Sequence, residues 1–421
     1  MVGKLRPRRF LVAALLGTLA LGLSACGEYP NSTFNHYTDL NRATDALWDR
    51  MMFLGTIIFV LVEAALVYVI IRYRGRPGDN SKPRQVHGHA GLEVTWTAIP
   101  VLIIIYLAIP SVKTAFETQA KASPDALQVE VVAHQWWWEF KYPQLGFTTA
   151  NELYVPNGRT VNLQLKSADV VHSFWAPQMG GKRDVVSNRT NYLWFTPNAD
   201  LPSSAWNGFC AEFCGPSHAN MRFRVFTVTP EEFTQWAAHQ ADPAIFTAPP
   251  PEPAAGAAPV QLASLQQDAA AAEPEKAPVW VFPRERLEQD FAYTIPTAKI
   301  PANLKFDESL LDQGDAERGR QIFSRSTCIG CHTVAGTPFN SPIGPNLTHV
   351  GSRYTIAGGL YPNDARHMAY WIKSAPDMKP GSFMPTIGKG LTDPVRKNVI
   401  NAGGLTDAEI ADVVAYLQAL K

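Results

Sequence analysis

A chain of 421 residues is long enough for two or three domains. Its 37 basic residues balance its 37 acidic ones, which excludes nucleic-acid binding through bulk positive charge. Eleven tryptophans, several of them clustered, favour membrane interfaces or packed β cores over a helical repeat.

Residues 1–25 read as a signal peptide of the lipoprotein type. A basic start (Lys4, Arg6, Arg8, Arg9) leads into the apolar run FLVAALLGTLALGL and then Leu23-Ser24-Ala25-Cys26. Cys26 is the lipidation candidate; the alternative is ordinary cleavage near Ala25. Residues 26–115 carry two further apolar stretches, LWDRMMFLGTIIFVLVEAALVYVIIRYR and VTWTAIPVLIIIYLAIPSV. Each is long enough for a bilayer core of ~30 Å at about 1.5 Å per residue. Pro100 and Pro110 would end a soluble helix, but a membrane helix tolerates them. The stretch between the spans holds Arg72, Arg74, Arg76, Lys82 and Arg84, so the positive-inside rule makes it cytoplasmic. The N-terminus and everything after residue 115 are then expected outside the cell membrane. Glu63 lies within the first span and needs a partner or a water path. Glu93 opens the second, where the helix dipole favours a carboxylate.

From 116 to 240 the text changes to short alternating runs such as LQVEVVAHQWWWEF, ELYVPNGRTVNLQLKS and MRFRVFTVTP. Alternation with turn signals between the runs predicts a β sandwich or Greek-key barrel, closed by a short helix over 231–239. One loop, GFCAEFCGPSHANM, groups Cys210, Cys214, His218 and Met221. A disulfide across so tight a loop is rare, and zinc seldom takes a thioether. Thiolate, imidazole and thioether together suit copper, although a mononuclear blue-copper site has no use for a second cysteine. A second histidine must come from another strand, and His172 in ADVVHSFWAPQMGGKRD is the best placed.

Residues 241–305 are rich in alanine and proline and read as a flexible tether. Residues 306–421 form a small helical domain, ending in LTDAEIADVVAYLQALK with Thr406 and Glu409 as a capping box. Cys328-Ile329-Gly330-Cys331-His332 is the signature of covalent haem c attachment: two thiols for the vinyl groups and His332 for the iron. Met384, before Pro385, is the preferred second axial ligand over Met378, and Met368 reads as core.

This last domain resembles a monohaem class I cytochrome c. Residues 30–240, with VHSFWAP followed by GFCAEFCGPSHANM, resemble cytochrome c oxidase subunit II, and the two domains together resemble the caa-type oxidases. The resemblance implies a two-helix anchor, an all-β cupredoxin-like Greek-key barrel and an all-α cytochrome c domain. It implies a binuclear copper centre, CuA, bridged by Cys210 and Cys214. His172, His218, Met221 and the Glu212 carbonyl would complete the ligands, with the Glu212 side chain towards a magnesium ion at the boundary with subunit I. It further implies Trp136 as the point that receives electrons, Asp169 as support for His172, and Glu93 as a proton-uptake carboxylate. The implied partners are subunits I and III and a cytochrome c or other donor, soluble or membrane-bound, and no nucleic acid. The implied activity, in the complex, is reduction of oxygen to water with proton pumping. The rivals are a CuA-containing nitric oxide reductase module and a tethered copper chaperone.

Overall fold

The computed structural model describes residues 17–18, 31–75, 78, 85, 87–120, 122–244, 280–283, 285–286 and 298–421. The signal peptide and Cys26 lie outside them, as does most of the alanine- and proline-rich stretch.

Two long helices come first, α1 (Asp39–Arg72) and α2 (Ala90–Gln119). Thr38 caps α1 by accepting from the Asn41 amide, and His89 caps α2 by accepting from that of Leu92. Both are long and apolar enough to cross a membrane, and their apolar side chains point outwards. Pro100 and Pro110 sit inside α2 without ending it.

Next comes a two-layer β sandwich. One sheet runs β3 (Phe147–Ala150), β2 (Trp137–Tyr142), β1 (Leu127–His134), β5 (Val161–Ser167), β8 (Asn191–Phe195). The other runs β4 (Glu152–Pro156), β10 (Arg222–Val228), β9 (Ser204–Cys210), β6 (His172–Trp175), β7 (Arg183–Val185). The pairs β1–β5 and β10–β4 are parallel and the remainder antiparallel, so the chain crosses between layers as in a Greek key. Period-two alternation drives the packing: Leu127, Val129, Val131 and Ala133 of β1 all face inward. The layers meet where Trp138 lies edge-on to Phe174 and Phe223, with ring centroids 5.5 and 5.3 Å apart. Helix α3 (Pro230–Ala241), started by a Thr229–Glu232 capping box, closes this domain by stacking Trp236 on Tyr154.

The C-terminal domain is helical. Helix α4 (Ala316–Arg325) crosses the last helix at Gly319, where a Cβ would fall 1.9 Å from the Asp412 carbonyl oxygen. Between them come α5 (Ala365–Lys373) and α6 (Ala375–Met378); α7 (Asp407–Ala419) follows its Thr406–Glu409 capping box. Ile322, Phe323, Met368, Ile372, Val413, Val414 and Leu417 form its core.

The two extramembrane domains touch. Phe282, in the alanine- and proline-rich stretch, is buried against Phe226 of β10, and Tyr354 of the helical domain enters the same cluster.

Candidate functional site

The loop after β9 turns back through Gly215, at φ +115°, a conformation that favours glycine. That turn, with the 3₁₀ turn His218–Asn220, brings its polar side chains under the end of β6. Cys210 and Cys214 are free thiols with sulfurs 3.7 Å apart. His172 Nδ1 lies 3.8 Å from Cys210 Sγ and His218 Nδ1 lies 3.6 Å from Cys214 Sγ. Met221 Sδ is 3.9 Å from Cys214 Sγ, and the Glu212 carbonyl oxygen is 3.2 Å from Cys210 Sγ. Donor atoms of His172, Cys210 and Cys214 all fall within 4.8 Å of one another. All six positions singled out from the sequence therefore converge on one small volume.

The surroundings prepare these groups to bind metal. Asp169 can only accept, so His172 Nε2 carries the proton of their 2.8 Å bond and Nδ1 keeps a lone pair facing the sulfurs. Burial alone would lower the His172 pKa and raise that of Asp169. Their hydrogen bond reverses this together with the Cys210 sulfur beside the histidine and the Gln135 and Val170 amides on the carboxylate, raising the histidine and lowering the carboxyl. The contact between the two sulfurs holds the Cys210 thiol below the ordinary range and, with burial, pushes that of Cys214 up. The pair thus yields its first proton readily and supplies the thiolate that soft metals take.

Trp136 is only 6% exposed. Its Nε1 donates to the Cys214 carbonyl at 3.1 Å, and Gln135 Nε2 donates to the same oxygen at 2.7 Å. On its other side the indole stacks on Phe383, 5.8 Å between centroids and 9° between planes. Phe383 is the residue before Met384, so the indole lies between the sulfur cluster and the methionine loop of the helical domain.

In that domain His332 Nδ1 donates to the Pro345 carbonyl at 2.8 Å, which leaves Nε2 as the nitrogen with a free lone pair. Gly344 permits the approach: a Cβ there would sit 2.8 Å from His332 Cε1. Cys328 and Cys331 are free. Met378 is buried in the core, and its carbonyl accepts from the Tyr361 hydroxyl. Met384 is half-buried at the edge of that core. Glu93 lies in the first turn of α2, where its carboxylate accepts from the His89 amide. Glu212 and its neighbour Phe213 are exposed.

Sequence reasoning missed one group of residues: Glu152, Arg224 and Lys379, charged yet buried between the two domains. The only signal was that Glu152 and Arg224 sit within runs otherwise read as strands.

A membrane anchor, a sandwich with a cysteine–histidine–methionine cluster and a helical domain with a haem-attachment motif define a membrane-bound electron-transfer protein with two redox centres. The profile for cytochrome c oxidase subunit II, transmembrane domain, matches residues 37–114. That for the subunit II periplasmic domain matches 145–228, and that for cytochrome c matches 316–421. Cytochrome c oxidase subunit 2 of Alkalihalophilus pseudofirmus is 31% identical, covering 89% of this chain and 87% of its own. The subunit 2 of Bacillus sp. (strain PS3) is also 31% identical, covering 97% and 96%. The periplasmic domain of subunit II from Bradyrhizobium japonicum is 28% identical over 28% of this chain and 95% of its own, with a TM-score of 0.27. The chain belongs to the cytochrome c oxidase subunit 2 family and is part of an oxidoreductase complex with the catalytic subunit I. Its domains imply copper and haem, and the donor sets just described fit both.

Proposed function

We propose that this chain receives electrons at a covalently bound haem c and delivers them, through a binuclear copper centre, to subunit I. There oxygen is reduced to water with proton pumping. When bound, the two groups supply one-electron redox chemistry. The convergence of two thiols, two imidazoles, a thioether and a carbonyl on one volume carries this reading. Two thiols close enough to share two ions, with one histidine beside each, fit a binuclear site better than a single-metal one. Cys210 and Cys214 would bridge the coppers, and His172, His218, Met221 and the Glu212 carbonyl would complete their ligands. Asp169 orients His172.

In the helical domain Cys328 and Cys331 would hold the haem covalently, and His332 and Met384 would ligate its iron. Trp136, touching the Cys214 carbonyl on one side and Phe383 on the other, serves as the contact between the two centres. The exposed Glu212 carboxylate faces the boundary with subunit I, where magnesium would sit. α1 and α2 would span the bacterial inner membrane with both large domains outside, an orientation that the basic stretch between the spans supports. Glu93 at the cytoplasmic end of α2 is the proton-uptake candidate. A cytochrome c is the expected donor, and subunit III the expected further neighbour.

The test is turnover of the purified complex. Cys214→Ser should leave haem c reducible by the donor but abolish its reoxidation under oxygen. Reoxidation at the wild-type rate, or turnover with nitric oxide in place of oxygen, would overturn the proposal.

A further inference from the structure

The contact between the two extramembrane domains has the chemistry of a permanent seat. Glu152, at the start of β4, is buried, and its Oε1 accepts from the backbone amides of Tyr354 and Thr355 at 2.8 and 3.1 Å. Burial pushes its carboxyl up to about 7 against the pull of those donors and of Arg353. A carboxyl so placed has its hydrogen bonds met by the other domain, with only Arg224 of its own domain nearby, and undocking would hand Oε1 and both amides to water. The Tyr354 ring meanwhile enters the sandwich core, 5.7 Å from Phe226, and its hydroxyl donates to the Phe282 carbonyl.

A second set of bonds comes from the segment just after. Ala357, Gly358 and Gly359 all have positive φ, at 57°, 74° and 76°, and this turns their carbonyls out of the helical domain. The Gly358 carbonyl accepts from the Arg222 amide at 3.1 Å and that of Gly359 from Arg224 Nη2 at 3.1 Å. Lys379 Nζ joins the Ala357 carbonyl, at 2.9 Å, to the Trp136 carbonyl, at 2.6 Å. Room is absent for anything bulkier: a Cβ at Gly358 would lie 2.7 Å from Lys379 Nζ, and one at Gly381 3.0 Å from the Trp136 ring.

We propose that residues 353–359 are a latch that locks the cytochrome domain onto one fixed seat on the copper domain, with Glu152 and Arg224 as its receptor. The domain then does not shuttle on its tether. The Glu152 bonds that help hold Phe383 on Trp136 involve no residue assigned to either metal site. Only one consequence rests on the electron-transfer reading: the Trp136 face is closed, so an external donor must deliver to the cytochrome domain.

A protease site inserted between residues 255 and 270 of the chain, in the assembled oxidase, tests the latch. After cleavage and gel filtration, the haem c absorbance of the wild-type complex should stay with the membrane subunits. Glu152→Gln, which keeps an acceptor oxygen, should retain it too. Glu152→Ala and Tyr354→Ala should each loosen it, by roughly 10- to 100-fold in affinity. Elution of the wild-type cytochrome domain as a free species would overturn the latch, and needs no variant to fold. So would retention of both alanine variants as tight as wild type, provided their haem c spectra and copper signals are intact. This readout makes no use of electron flow, so a retained domain in a complex that consumes no oxygen would sink the electron-transfer reading alone.

Discussion

Two methionines in the cytochrome domain differ by their surroundings. Met378 has core side chains around it and a carbonyl bonded to Tyr361. Met384 sits half-buried on the loop that reaches Trp136. Met384→Leu should therefore abolish the sulfur-to-iron charge-transfer band of the oxidised haem and lower its potential, since a thioether ligand raises it. Met378→Leu should leave band and potential unchanged and cost less than about 1.5 kcal/mol, as a volume-conserving swap. Optical redox titration of both variants decides; loss of the band in the Met378 variant alone would reverse the assignment. At this scale the sequence was informative because metal ligands are chemically unusual residues at fixed spacings. Cys210, Cys214, His218 and Met221 could be grouped from one loop. His172 needed only the expectation that its imidazole arrives from another strand. Glu152 and Lys379 could not be found that way, because what buries them is the opposite domain rather than any local pattern.

Elements behave as their local chemistry dictates, with one loop worth a test. Asp393 is buried and accepts from the amides of Thr386, Val395 and Arg396 at 2.9, 2.9 and 2.7 Å, tying the strand of chain after Met384 to the turn at 393–396. Burial alone would raise its pKa, but the three donors outweigh burial and hold the carboxyl below the ordinary range. Asp393→Ala strands three amides and should cost about 2–4 kcal/mol at neutral pH. Because the folded pKa is depressed, the stabilisation is complete above the unfolded value near ~4 and is lost as pH falls through the lower folded one. Urea unfolding followed by haem absorbance should show the wild-type advantage over Asp393→Ala shrinking towards about pH 3. An advantage that did not change with pH would contradict the carboxylate's role. Helix starts were the most legible elements: Thr406 with Glu409 forms the capping box its spacing predicts. The loop around Asp393 was opaque, because its bonds run to residues chosen by tertiary packing.

For the whole molecule, anchor, sandwich and cytochrome domain were legible from hydropathy, alternation and the haem motif. Their mutual placement was not. A stretch rich in alanine and proline reads as a tether by composition, and a tether alone would raise local concentration to the millimolar range without fixing a geometry. Phe282 packed on Phe226 and the bonds from Glu152 to the Tyr354 and Thr355 amides add what composition cannot show, a defined seat. The thiol cluster and the Met384 loop are thereby held on either side of one indole ring. The proposed electron route rests on the thiol pair carrying two coppers. The most direct measurement is the EPR spectrum of the oxidised full-length chain, haem matured and copper supplied. One unpaired electron shared equally by two coppers would give a multiline hyperfine pattern at roughly half the single-copper spacing. A pattern from a single copper, or no copper signal, would contradict the account.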